Sequence, residues 1–128
     1  MESIDASSYT HIVFSFASIS ATGILEPWDF AADIEGGQYQ QFVDVKTNYP
    51  GTKTMIAVGG WTHNEPDNER LYRFSKTAST QKSRTLFAQS SVAFMRKYGF
   101  DGYVDCVLLL LPRTLTNILC SSVAELLQ

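Results

Sequence analysis

The chain holds 128 residues, 45% hydrophobic and 18% charged, with a formal net charge of −3. That length supports one core and is too short for two comfortable domains. Its ten Lys and Arg against thirteen Asp and Glu form no basic patch, so nucleic acid is not an expected partner. The longest apolar run, Val107 to Leu111, is far short of the roughly 20 residues a membrane span needs, so no membrane is expected either.

The opening Met1-Glu2-Ser3-Ile4-Asp5 has neither a basic start nor an apolar run, and reads as no signal peptide. Thr10-His11-Ile12-Val13-Phe14-Ser15-Phe16-Ala17 follows, rich in β-branched and aromatic residues, and reads as a buried strand. Ala21 to Gly37 is a long connection with Trp28, Phe30 and several acids; connections of this length are uncommon unless they build a site. From Gln38 to Tyr49 the spacing predicts a helix, with Tyr39, Phe42, Val43, Lys46 and Tyr49 on one stripe, ended by Pro50-Gly51. All of these but Lys46 suit a core.

Thr54-Met55-Ile56-Ala57-Val58 is a second strand, closed by Gly59-Gly60. Asp67 to Ser79 is a polar connection with a helical turn expected around Leu71 to Phe74. Thr80 is the expected N-cap of a helix reaching Tyr98, with Phe87, Ser91, Phe94, Met95 and Tyr98 on one stripe and Gly99 as its stop. A third strand starts at Gly102 and runs through Tyr103, Val104 and Asp105. Near-continuous apolar runs suit strands of a parallel sheet covered on both faces, and strand–helix alternation is the signature of right-handed βαβ units.

The last 22 residues change character. Leu115, Ile118, Leu119, Val123 and Leu126 would form one helical face, or the segment has no fold of its own. Cys106 and Cys120, the only cysteines, read as small buried hydrophobes: two thiols make no disulfide framework, and no Cys/His spacing suggests zinc. No metal and no cofactor is expected.

Two stretches carry chemistry. Met55-Ile56-Ala57-Val58-Gly59-Gly60-Trp61 is a strand ending in two glycines and a tryptophan: glycines there let a ligand approach the backbone, and an indole face stacks on a sugar ring. For the glycine pair taken alone a tight turn is the favoured explanation, and no phosphate-cradling pattern follows it. Tyr98-Gly99-Phe100-Asp101-Gly102-Tyr103-Val104-Asp105 puts acids at the start of a strand and within it, where a buried carboxylate is either catalytic or a structural hydrogen-bond acceptor. A serine-hydrolase reading would pair Ser15 or Ser18 with His11 or His63, but no G-x-S-x-G elbow is present. His11 reads as a hydrogen-bonded core residue of the first strand. His63 reads as a solvated loop residue, or one that touches a ligand.

The runs SSYTHIVFSFASI, KTMIAVGGWT and SSVAFMRKYGFDGYVD resemble family 18 glycoside hydrolases, the fungal-type chitinases in particular, over roughly residues 4 to 105. The resemblance implies a partial (β/α)₈ barrel of about three parallel strands with intervening helices, its blocks being the family's strands two, three and four. It implies a catalytic-domain portion over residues 1–106 and a Leu-rich tail of non-family character over 107–128. It also implies chitin or an N-acetylglucosamine oligosaccharide as ligand, with Phe16, Gly59, Gly60 and Trp61 as substrate-binding positions. The family is usually secreted.

In this family the motif D-G-x-D-x-D-x-E lines acids along the fourth strand toward the open barrel end. The terminal Glu protonates the glycosidic oxygen, while the substrate's own acetamido oxygen attacks the anomeric carbon. Here Asp101 and Gly102 match the first two positions, and Asp105 recovers a second acid if Tyr103 is an inserted residue. The Glu position falls on Leu108 or, with that insertion, on Leu109, and the next Glu is Glu125. The chain is therefore expected to be inactive. The change after Asp105 has the form of a reading-frame shift, an unspliced intron or a truncated gene. A partial barrel leaves strand edges bare, so self-association through open sheet edges is expected.

Overall fold

The computed structural model describes residues 4–65 and 68–106, the side chains of Asn64, Asp105 and Cys106 excepted. Leu108, Leu109, Cys120 and the expected helical face at 115–126 lie outside the described residues.

Three parallel strands form the centre: β1, His11–Ile19; β3, Lys53–Gly59; and β4, Gly102–Cys106. A short strand β2, Leu25–Pro27, runs antiparallel to the end of β1, so the sheet order is β2-β1-β3-β4. The sequence pattern hid β2, since three residues inside a long connection carry no period; its hydrogen bonds with β1 define it. Phe14 pairs with Ile56 and Ile56 with Tyr103, and a bulge between Ser15 and Ala17 shifts the register by one where β1 approaches its end.

The helices lie in the βαβ crossovers. The segment expected as one helix over 38–49 is two, α1 (Gln38–Val43) and α2 (Val45–Asn48), divided at Asp44. The break turns Lys46 toward the Gly99 carbonyl, to which its ammonium donates at 2.7 Å. That contact explains a lysine in an otherwise apolar stripe. Helix α3 is Arg73–Ala78, displaced toward the C-terminus from the turn expected at Leu71 to Phe74. Its Arg73 donates to the Ile19 carbonyl at 2.6 Å and pairs with Glu26 at 3.5 Å, tying the helix to β1 and β2.

Helix α4, Gln81–Tyr98, follows the sequence signals closely. The Thr80 hydroxyl accepts from the Ser83 N–H, and Ser83 returns the bond to the Thr80 N–H, closing a capping box. Gly99 ends the helix at φ 80°, a left-handed conformation that costs glycine nothing.

The core lies between the sheet and these helices. Ile56, Val58, Phe74, Phe87, Phe94 and Met95 are buried there, with Tyr39 edge-on to Phe14, Phe94 and Phe100 at 4.9–5.8 Å. The expectation of a sheet covered on both faces needs correction. Ile12, Phe14, Ile56 and Tyr103 meet the helices, but the opposite face carries Val13 at 46% and Val104 at 38% exposure. No second layer covers Val13 and Val104 among the described residues, and β1 alternates in exposure from His11 to Phe16 before becoming buried from Ala17 to Ile19.

His11 is a second correction. It stands exposed at the first position of β1, its Nδ1 3.1 Å from the Thr10 hydroxyl, because the core begins deeper along the strand.

Candidate functional site

Parallel strands deliver their C-terminal ends to one edge of the sheet, and there β1 and β3 open into a cavity of about 490 Å³. Phe14, Ser15 and Phe16 line it from β1, and Gly59, Gly60, Trp61 and Thr62 from the end of β3. Trp28, Asp29, Asp33 and Gln38 close it from the connection after β2. Phe16, Gly59, Gly60 and Trp61, named from the sequence, are thus brought together.

Gly59 and Gly60 have φ of 97° and 87°. A Cβ on Gly60 would stand 3.0 Å from the Phe16 ring, so the turn needs glycine both for its dihedral and for the aromatic beside it. The turn throws Trp61 outward to 66% exposure, large for an indole with no structural duty in the core. Gly59-Gly60 is a tight turn that also lines the cavity.

The connection 21–37, flagged by its length and aromatic content, supplies residues that the sequence did not assign. A π-helical turn, Ala31–Glu35, carries Asp33 inward. The Asp29 N–H donates to the Asp33 carboxylate at 3.1 Å, and the Ala32 N–H donates to Asp29 at 3.1 Å, so the two acids knit the loop together. Asp33 is only 5% exposed, and burial raises its carboxyl above the usual range, against the pull of the Asp29 N–H and the Tyr39 hydroxyl beside it. Burial likewise pushes the Tyr39 phenol well above its ordinary value.

His63 sits under this wall in a 3₁₀ turn, Thr62–Asn64. It is fully buried, its ring 4.9 Å from Phe74 and 6.3 Å from Trp28, which corrects the solvated-loop expectation. The polar neighbours in sequence concealed a position that packing made internal.

Asp101 is not brought to the cavity. It precedes β4 at the opposite edge, where Oδ2 accepts from the Thr54 N–H at 2.8 Å, the Thr54 hydroxyl at 3.2 Å and the Lys46 ammonium at 3.1 Å. The Asp101 N–H answers with a bond to the Thr54 carbonyl at 2.7 Å. Burial alone would raise its carboxyl; the Thr54 N–H and the Lys46 ammonium outweigh it and hold the group below the usual range. Five residue steps of strand lead from Thr54 to Gly59, about 16 Å. Asp105 is paired with Val58, and Cys106 with Gly59, so the backbone of Asp105 lies near the cavity edge.

Among the described residues no group of His, Cys, Asp and Glu is arranged to hold a metal ion. The cavity thus offers aromatic surface, glycine backbone and two carboxylates.

The sequence profile of glycosyl hydrolases family 18 matches residues 1–105. The chain is 30% identical over 106 residues to an endochitinase of Manduca sexta, covering 80% of this chain and 18% of that protein. It is 38% identical over 95 residues to an oviduct-specific glycoprotein of Ovis aries, covering 73% and 16%. Among solved structures it resembles the Group IV chitinase of Ostrinia furnacalis, with a TM-score of 0.82 and 28% identity over 95% of this chain and 34% of that one. It also resembles human YKL-39, described as a pseudo-chitinase with retained chitooligosaccharide binding properties, with a TM-score of 0.75 and 26% identity over 96% and 32%. The chain spans about a sixth of the length of these curated relatives and about a third of these solved chains.

Proposed function

Because the chain belongs to glycosyl hydrolases family 18, we propose that it is a chitinase-like protein that holds N-acetylglucosamine oligomers at the edge of its sheet without hydrolysing them. Its described sheet is an arc of the family's barrel. The observation that carries the reading is the convergence of Phe16, Gly59, Gly60 and Trp61 on one cavity. A pyranose is apolar on its faces and polar at its rim. Trp61 and Trp28 offer rings to the faces, while Ser15, Asp29, Gln38 and Thr62 offer partners to the hydroxyls and the acetamido group.

The absence of hydrolysis rests on the residue where the general acid would stand. Leucine at 108 or 109 has no proton to give, and Asp105 is the motif acid whose backbone position lies nearest the cavity edge. Asp101 serves as a strand anchor. General acid catalysis contributes typically 10²–10⁴-fold, and the substrate's acetamido group cannot replace a proton donor at the leaving oxygen. YKL-39, described as binding chitooligosaccharide while being a pseudo-chitinase, is a precedent for separating the two properties.

Calorimetric titration of the pure chain with chitotriose tests the reading: saturable binding supports it, and no heat at millimolar sugar sinks it. The face carrying Val13 and Val104, with the outer edges of β2 and β4, is the surface for self-association. Light scattering of residues 1–128 should give a mass above one chain, and a clean monomer would remove that part.

A further inference from the structure

We infer that Arg70 is a positioning residue for the aromatic wall of the cavity: its guanidinium covers one face of the Trp28 indole and holds the ring against the sugar site. The inference rests on the sugar-binding reading for its functional meaning.

Trp28 directly follows β2 in a bend outside any helix or strand, so no ladder or helical bond fixes its ring. Two neighbours do so instead. The Arg70 guanidinium carbon lies 4.9 Å from the indole centroid, inside the roughly 6 Å at which a cation is drawn to a ring face. His63 approaches the same ring at 6.3 Å and is itself braced on Phe74. The cavity takes up further indole surface.

Arg70 is anchored independently of the ring. Its Nε donates at 3.0 Å to the hydroxyl of Ser18, a fully buried residue of β1, and its backbone N–H donates to the Asn68 side chain at 2.9 Å. Its ion pair with Glu69 is long, 3.7 Å, and Glu69 is exposed and shared with Arg73, so charge pairing contributes little. The guanidinium is thus a bridge from the β1 strand to the indole in the following connection. Arg70 does not line the cavity, so any effect on ligand passes through Trp28. A lysine would keep the charge but lose both the flat stack and the Nε donor.

The test uses the full chain carrying Trp61→Phe, which leaves Trp28 as the only indole, and reads acrylamide quenching of its emission. Arg70→Ala should raise quenching, Ser18→Ala should raise it less, and Arg70→Lys should resemble Arg70→Ala. Chitotriose affinity, measured with both indoles present, should fall about fivefold in Arg70→Ala. Unchanged quenching in both Arg70→Ala and Ser18→Ala overturns the inference, as does an Arg70→Lys chain that quenches like the parent. Ser18→Ala keeps the test open should Arg70→Ala fail to fold. A parent that binds no chitotriose sinks the sugar reading alone, and Trp28 quenching then decides the positioning role.

Discussion

At the edge where the strands begin, Asp101 accepts from Thr54 and Lys46, and those donors hold its carboxyl below the usual range. At the edge where they end, Asp33 is buried beside the cavity, and burial holds its carboxyl above that range. The same side chain thus serves as an anchor at one edge and as part of a cavity wall at the other. Donors decide the first case, because a backbone N–H and an ammonium both favour the charged form. Desolvation decides the second, because the donors around Asp33 do not compensate for its removal from water. Motif position alone does not set an acid's surroundings: Asp101 bears the motif's first position and lies on the far side from the cavity, held by Thr54 and Lys46.

The strongest way to break this comparison is hydrolysis. A carboxyl with a raised pKa beside a cavity invites the role of general acid, yet Asp33 is turned into its own loop and tied to Asp29. Pure protein should release no chromophore from a chromogenic N-acetylglucosamine oligomer, a deficit of about 10²-fold or more against an enzyme with its acid in place. Clear turnover would show that an acid has been overlooked.

Asp101→Asn probes the anchor next. It removes the charge that Lys46 and the Thr54 N–H address, and should cost about 1–3 kcal/mol of stability, measured as a lower thermal midpoint. A midpoint equal to the parent's would reduce the cluster to surface decoration. The cavity edge responds to a different change: Trp61→Ala should weaken chitotriose binding about tenfold, roughly 1–2 kcal/mol, while leaving the thermal midpoint in place because Trp61 is mostly exposed. Equal affinity in the variant would remove stacking on Trp61 from the account.

The smallest expected effect is that of Asp33→Asn, which keeps an acceptor for the Asp29 N–H and removes the cost of burying a charge; stability at neutral pH should stay within about 0.5 kcal/mol of the parent or rise. The pH signs of the two edges oppose each other. A carboxyl lowered on folding, such as Asp101, contributes stability above its unfolded pKa and loses it as pH falls through the folded value. A carboxyl raised on folding, such as Asp33, penalises the folded state when both states are ionised, and that penalty is relieved as pH falls through its raised value. In thermal scans from pH 7 down to 3, Asp101→Asn should show a shallower acid loss than the parent and Asp33→Asn a steeper one. Parallel curves for all three chains would contradict both assignments.

The elements whose cause is local were legible in the sequence. Thr80, the apolar stripe and Gly99 determine α4 through capping bonds and a left-handed stop, all within the helix's own length. Met55 to Trp61 announces a strand that ends in a ligand-accessible turn because glycine and tryptophan act where they stand. Other roles depend on partners distant in sequence that the fold brings together. Asp101 became an anchor because Lys46 and Thr54, 55 and 47 residues away, close on it. His63 became internal because Phe74 and Trp28 enclose it, and Trp28 became a wall because Arg70, itself held by Ser18, lies against it across the fold. Burial and charge environment are sums over neighbours, and a one-dimensional pattern carries the residue but not the company that sets its dielectric, its donors and its role.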